Sequence, residues 1–408
     1  MVTVNTINEE RLFRMLSKSS ETGAIPGNGL RRLALSDQDQ EMRNIYKEWC
    51  EEAGLKLRID DLGNMYARRE GKNNLPPVVV GSHLDTQPAG GRFDGILGVL
   101  LALEVVQTLN DNGIETERPL EIVNFTNEEG VRFEPPMLGS GGIAGVFDQA
   151  YVYSRKDADG FSFLEELERI GYKGEEGNRL GDFHSFLELH IEQGPILEGE
   201  DKQIGVVEGV QGISWLEVTL KGEADHAGPT PMHLRKDALM AAAEIMNQLE
   251  KDIATTDITV TVGKISVSPN SVNCVPGEVH FTVDIRSAND KLRKQAFEGT
   301  KHTIRRVSED REVRVEMTEL WETEKIDFDS SITEVIENRA TELGYSSKRM
   351  LSGAGHDAKY VNNLGPTAMI FVPSVNGKSH VPSELTLDRD IVSGANTLYH
   401  TVLTLSNE

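Results

Sequence analysis

The chain is poor in the residues that would suit it to an oxidising compartment or to a polyanionic partner. It carries only two cysteines, Cys50 and Cys274, far apart and outside any Cys-x-x-Cys pair. That excludes a disulfide framework and a cysteine-rich zinc site, and two idle thiols are a simpler reading than one long-range bridge. Basic residues are also short: 42 Lys and Arg face 66 Asp and Glu, a formal net charge of −24. Nucleic acid and anionic membrane would both repel such a surface, whereas a small anionic substrate can still enter a locally positive pocket. No apolar run reaches the roughly 18 residues of a membrane span. The opening MVTVNTINEERLF lacks the basic start and apolar stretch of a secretory signal. The expectation is a cytoplasmic protein with no nucleic-acid or membrane partner.

What is present is a regular alternation of helix and strand signals over a length that suggests about two to three domains. SDQDQEMRNIYKEWCEEAG opens on Ser36 as an N-cap and closes at Gly54 as a natural C′ residue. PPVVVGSHLD is a short apolar run, ILGVLLALEVVQTLNDNG (96–113) is apolar nearly all round and so predicts a buried helix, and PLEIVNFT reads as the next strand. Strand, helix, strand at this spacing is a βαβ unit and implies a covered, largely parallel sheet. The Asn124-Phe125-Thr126 sequon falls inside a predicted strand and is a chance match. GSGGIAG (139–145) resembles a dinucleotide fingerprint, but it does not follow the first strand of a βαβ unit and is set aside.

From about residue 211 the texture changes. A half-exposed strand, a helix through KDALMAAAEIMNQLEKD, two further strands, a charged helix and a last strand give the order β-α-β-β-α-β of a ferredoxin-like domain. The expected architecture is α/β: a catalytic domain (1–210 and 330–408) with a mixed, largely parallel sheet covered by helices, interrupted by an inserted ferredoxin-like α+β domain (211–329).

Five of the ten histidines, His83, His190, His226, His356 and His380, lie among glycines, acids or serines at element ends. The loop GSHLDTQPAGGRFDG places His83, Asp85 and Asp94 together, with Gly90 and Gly91 expected to bend the chain. Positions two apart in extended chain face one side, so of His83 and Asp85 one can bind metal while the other orients an imidazole. Asp94 also has an ordinary explanation, as the carboxylate at the start of the buried helix. The paired Glu128 and Glu129 repel unless a cation or separate roles relieve them; one can ligate while the other takes a proton from the attacking water. His190, Gln193 and His380 follow other apolar runs. Together His83, Asp94, Glu129, His190 and His380 supply the nitrogen and oxygen donors, with one carboxylate to share, that two divalent ions need.

In order along nearly the whole chain, GSHLDT, GGRFDG, NEEG, ELHIEQG, GEADHAGPTPM, NCVPG, DIRS, SGAGHDA and SHVPSE resemble the motifs of the dinuclear metallo-amidohydrolases that share a fold with aminoacylase and carboxypeptidase-type zinc peptidases. The similarity is greatest to the branch of N-carbamoyl-L-amino-acid hydrolases, β-ureidopropionases and allantoate amidohydrolases. The resemblance implies two divalent ions per subunit (Zn, Mn, Co or Ni), one on His83 and His190, the other on Glu129 and His380, with Asp94 bridging. It implies Glu128 as general base, Asp85 behind the ligands, and His226 stabilising the oxyanion. It assigns Gln193, Asn273 and Arg286 to a carboxylate-bearing small-molecule substrate, with backbone N–H groups near Gly355 and His356, where a helix start is expected. The related peptidases usually carry a carboxylate where His190 stands, so His190 with Gln193 favours the amidohydrolase branch. Val381 departs from the asparagine usual after the last histidine and is not a ligand. The implied activity is hydrolysis of the carbamoyl amide of N-carbamoyl-L-amino acids by a homodimer, whose insert closes over the site and whose partner can contribute residues. Action on allantoate, or on N-carbamoyl-β-alanine, is the alternative.

Overall fold

The computed structural model describes residues 6–255 and 257–408; residues 1–5, where the N-terminal stretch read above begins, lie outside it. The chain forms two compact units, Met1–Gly209 with Phe328–Glu408, and Val210–Asp327. No helix among the described residues is long and apolar enough to cross a membrane.

The first unit is built on a mixed sheet. Its order runs Ile204–Val210, Thr367–Val372, Ser185–Ile191, Val78–His83, Leu120–Phe125, Met65–Arg69, Lys56–Ile59. The four strands from Thr367–Val372 to Leu120–Phe125 are mutually parallel, and the strands flanking them are antiparallel. All four are buried along their whole length. Parallel strands covered on both faces read as continuous apolar runs, as VVV and AMIFV do here. The helix Ile96–Asp111 is buried through its first eleven residues, Ile96 to Val106, and packs on three of these strands. Helices Ser330–Glu342 and Asp388–Leu405 also cover the sheet.

Two buried arginines brace the loops at the carboxyl ends of the central strands, where ligands gather in such sheets. Arg32 donates from its guanidinium to the carbonyls of Leu84, Ser19 and Thr22, while its backbone N–H donates to Thr86 Oγ1 and its carbonyl accepts the Thr86 N–H, fixing the turn that carries Asp85. Arg43, on the helix Asp37–Glu52, pairs with Asp39 at 2.9 Å and donates to the Gly63 carbonyl and Thr126 Oγ1. Both members of that pair are buried, so losing one would strand a charge at a cost of about 3–5 kcal/mol.

The second unit is a four-stranded antiparallel sheet in the order Thr259–Ser268, Glu278–Ser287, Gly212–Lys221, Arg314–Thr323. Alternate residues Leu216, Val218 and Leu220 pack with Val279, Phe281, Val283 and Ile285 against the helices Ala238–Gln248 and Asp290–Asp310. Asp237 and Asn289 cap those helices by accepting first-turn N–H groups. In chain order the strands lie fourth, first, third, second across the sheet, which is the ferredoxin-like arrangement.

Candidate metal centre

Four loops of the first unit converge beyond the parallel strands. His83 ends one strand, and its Nδ1 lies 2.9 Å from the Asp85 carbonyl, which leaves Nε2 as the lone-pair nitrogen. That Nε2 is buried and has no hydrogen-bond partner; it stands 3.5 Å from Asp94 Oδ1 and 3.6 Å from Glu128 Oε2. His190, one residue before its strand ends, holds Nδ1 against the Ile191 carbonyl and turns Nε2 to within 3.2 Å of Asp94 Oδ1. Asp94 Oδ2 faces the other way, 3.4 Å from His380 Nε2, and His380 Nε2 lies 3.5 Å from Glu129 Oε2. Two groups, His83–Asp94–His190 and Asp94–Glu129–His380, can each hold a metal ion, and they share Asp94.

A divalent cation fits these donors. Besides the orphaned His83 Nε2, Glu129 Oε1 and Gln193 Oε1 are buried without partners, and each such atom costs free energy unless something accepts or supplies charge there. The electrostatics agree. Burial opposes the charged forms of all these groups, but His190, His380 and His83 together hold the Asp94 carboxyl well below the usual range. Burial, with Asp357, Glu129 and Asp94 adding, pushes Glu128 well above it despite His83. Burial and Asp94 push Glu129 up to about 7. The hydrogen bond to Asp94 takes His380 up to about 9.

Asp85 lies behind the donor groups, not in them. Its carbonyl orients the His83 ring, while its carboxylate accepts the backbone N–H of Glu128 and of Glu129, both at 3.2 Å. It therefore shapes the turn that carries both glutamates. The chain turns at residues 88–89 and bends at 92–93, on either side of Gly90 and Gly91, and neither glycine has a left-handed φ. Gly90 bridges Leu30, Gly91 is small because Glu384 lies against it, and the left-handed residue is Gly95, at φ 68°. The helix expected to start at His356 starts at Ala358, because the Ala358 N–H is taken by the Glu188 carboxylate at 2.9 Å. The His356 ring is buried between His190 and Phe371, with Nε2 3.0 Å from Ser352 Oγ, so it packs behind His190. Gly355 is half-buried against Met137.

Residues 79–404 match the model of peptidase family M20/M25/M40. The chain belongs to this family. It is 43% identical over 400 residues to an N-carbamoyl-L-amino-acid amidohydrolase of Rhizobium meliloti, covering 97% of this chain and 96% of that one. It is 34% identical to an allantoate amidohydrolase of Bacillus subtilis, covering 93% of each. The crystal structure of an amidase of the hydantoinase/carbamoylase family from Burkholderia multivorans superposes with a TM-score of 0.93 at 43% identity, covering 99% of both chains. M20 hydrolases use divalent metal ions, in keeping with the donor groups above.

The remaining residues expected of an M20 amidohydrolase are distributed unevenly. Gln193, at φ 58°, donates from Nε2 to Asp94 Oδ2 at 2.9 Å. In the second unit, exposed His226 lies on the two-residue strand Asp225–His226, in register with Cys274, and the exposed Asn273 carbonyl accepts the Ala227 N–H at 2.9 Å. Asn273 precedes the two-residue strand Cys274–Val275 and is not itself in a strand, whereas Arg286 lies within Glu278–Ser287. The pair His226 and Asn273 sits beyond the end where Lys221 faces Glu278, whereas Arg286 faces Ile213 near the other end. At about 3.4 Å per residue, the eight steps from Glu278 to Arg286 span roughly 27 Å. Arg286 is half-buried and paired with Asp284 at 2.7 Å.

Sequence reasoning missed Glu384, Ser379, Gln87 and Glu188. Gln87 donates to Glu129 Oε2 at 2.5 Å and Ser82 to Glu188 at 2.7 Å. Each lies within a quoted stretch, Gln87 in GSHLDTQPAGGRFDG, Glu188 at the head of ELHIEQG, and Ser379 and Glu384 at the two ends of SHVPSE, but none was singled out there.

Proposed function

We propose that this M20 protein hydrolyses the carbamoyl amide of N-carbamoyl-L-amino acids, giving the amino acid, carbon dioxide and ammonia. The observation that carries the reading is the pair of donor groups sharing Asp94, with the buried Glu128 carboxyl 3.6 Å from His83 Nε2. Two divalent ions bound there would act as Lewis acids and lower the pKa of the attacking water. In this reading Glu128, whose carboxyl is raised by burial and by the neighbouring carboxylates, takes the proton of that water and returns it to the leaving nitrogen. Asp85 holds the Glu128–Glu129 turn, and the Asp85 carbonyl keeps His83 in the tautomer that offers Nε2.

His226 supplies a donor for the oxyanion, and Arg286, Asn273 and Gln193 grip the substrate carboxylate and its neighbours, a guanidinium giving two parallel bonds where an ammonium cannot. Backbone N–H groups at Gly355 and His356 complete the pocket. Because Arg286 lies near one end of the four-stranded sheet and His226 lies beyond its other end, on a separate two-stranded pair, the proposal extends to a homodimer in which one site draws on both chains. The edge strand Thr259–Ser268, with exposed Ile265, supports such an association.

The experiment is a measurement of ammonia release from N-carbamoyl-L-amino acids, N-carbamoyl-β-alanine and allantoate, with Mn²⁺, Co²⁺ or Zn²⁺ added in turn. Turnover of the first class alone supports the reading. Preference for allantoate, the substrate in the name of the Bacillus subtilis relative, would replace it with that activity, and no release from any substrate would sink it.

A further inference from the structure

Glu384 lies in the same loop as His380, and its side chain is buried. Oε1 accepts the backbone N–H of Phe93 and of Asp94, each at 3.1 Å. Oε2 is 2.9 Å from Ser379 Oγ, and the same hydroxyl is 2.8 Å from Asp94 Oδ2. A Cβ on Gly91 would stand 2.1 Å from Glu384 Cδ and Oε1, so the glycine is what admits the carboxylate. One side chain thus holds the backbone of the shared carboxylate and, through Ser379, the loop of His380. His380 needs such a brace: it is exposed and sits at φ 59°, a left-handed conformation that a histidine does not choose unaided.

We infer that Glu384 is a positioning residue that sets the separation of Asp94 and His380, and so the strength of the Asp94–Glu129–His380 cation site. The inference rests on the metal-centre reading above. Glu384 reaches Asp94 only through the backbone and Ser379, yet residues behind metal ligands change affinity by about 10–100-fold when removed. The His83–Asp94–His190 group does not use the Ser379–His380 loop and depends on Glu384 less.

The test is equilibrium dialysis of metal-free protein against Co²⁺, with bound ions counted and the visible spectrum of the loaded protein recorded. Wild type is expected to bind two ions. Glu384→Ala should keep one near wild-type affinity and bind the other about 10–100-fold more weakly, losing part of the cobalt spectrum. Glu384→Gln should restore both, since its amide oxygen accepts the same two N–H groups and its NH₂ can donate to Ser379. Binding of both ions by Glu384→Ala as tightly as by wild type overturns the inference. If that variant does not fold, Ser379→Ala is read by the same measurement, and unchanged binding of both ions again overturns it. A wild type that takes up no ions is a separate result, visible before any variant is made; it would remove the metal centre and the tie with it.

Discussion

Gly95 and His83 are in contact so close that no other residue fits: a Cβ on Gly95 would stand 2.2–2.4 Å from three atoms of the imidazole. Gly95 is also at φ 68°, where a side chain adds about 1–3 kcal/mol of strain. Gly95→Ala must therefore push His83 off the line to Asp94 or shift the start of the buried helix. The expected outcome is a lower melting temperature of the metal-free protein together with weakened uptake of the ion at His83, Asp94 and His190. Unchanged metal content in a folded variant would mean that the His83 ring can move without consequence.

Glu128, proposed above as the base, allows proton transfer and metal binding to be tested apart. Its carboxyl is buried beside His83 Nε2, and it belongs to neither of the donor groups that share Asp94. Glu128→Gln keeps the shape and removes the proposed base, so kcat should fall by about 10²–10⁴-fold with the ions still bound. Turnover and metal content measured on one preparation decide it; a near-normal kcat would assign the proton to another group.

Metal uptake should release protons, and the pH dependence has a definite sign. His380, taken up to about 9 by Asp94, carries a proton at neutral pH in the metal-free protein. Glu129, taken up to about 7 by burial and Asp94, is partly protonated there. Both must lose those protons before they can ligate. Affinity should accordingly rise with pH from 6 to about 9 and level off above the His380 value. Calorimetric titration at pH 7 in two buffers of different ionisation enthalpy measures the release directly. Equal heats in both buffers would contradict these proton positions.

The ease with which parts of this molecule can be read from sequence follows from how local their causes are. Ser36 and Gly54 bracket a helix because capping acts within one turn, and the Asp37–Glu52 helix obeys them. The β-α-β-β-α-β order of the second unit is legible because its strands alternate and its helices are capped by Asp237 and Asn289. Loops bearing His83, Glu129, His190 and His380 can be gathered because they follow strands of one parallel sheet. Glu384 cannot be found this way, since the N–H groups it accepts lie 291 and 290 residues away. The reason for Gly91 is equally remote. The helix start near His356 is misjudged for the same cause, because its cap comes from Glu188 across the sheet and not from a neighbour.

The placement of His226 and Arg286 leads to the prediction that bears most on how the site is completed. Lys221 faces Glu278 at the His226 end of the sheet, and Ile213 faces Arg286 at the other. With roughly 27 Å of strand between those ends, one chain's His226 and Arg286 cannot both touch a substrate a few bonds long. If each site takes Arg286 from one subunit and His226 from its partner, His226→Ala and Arg286→Ala should each be nearly inactive alone. A hybrid dimer of the two would then contain one intact site and one doubly damaged site. Co-expression, or subunit exchange after mixing, should restore activity toward half the wild-type value per hybrid dimer, with the KM of wild type. Mixtures that stay as inactive as their parents, under conditions where exchange is demonstrated by differently tagged subunits, would mean that one of these residues plays no part in the chemistry.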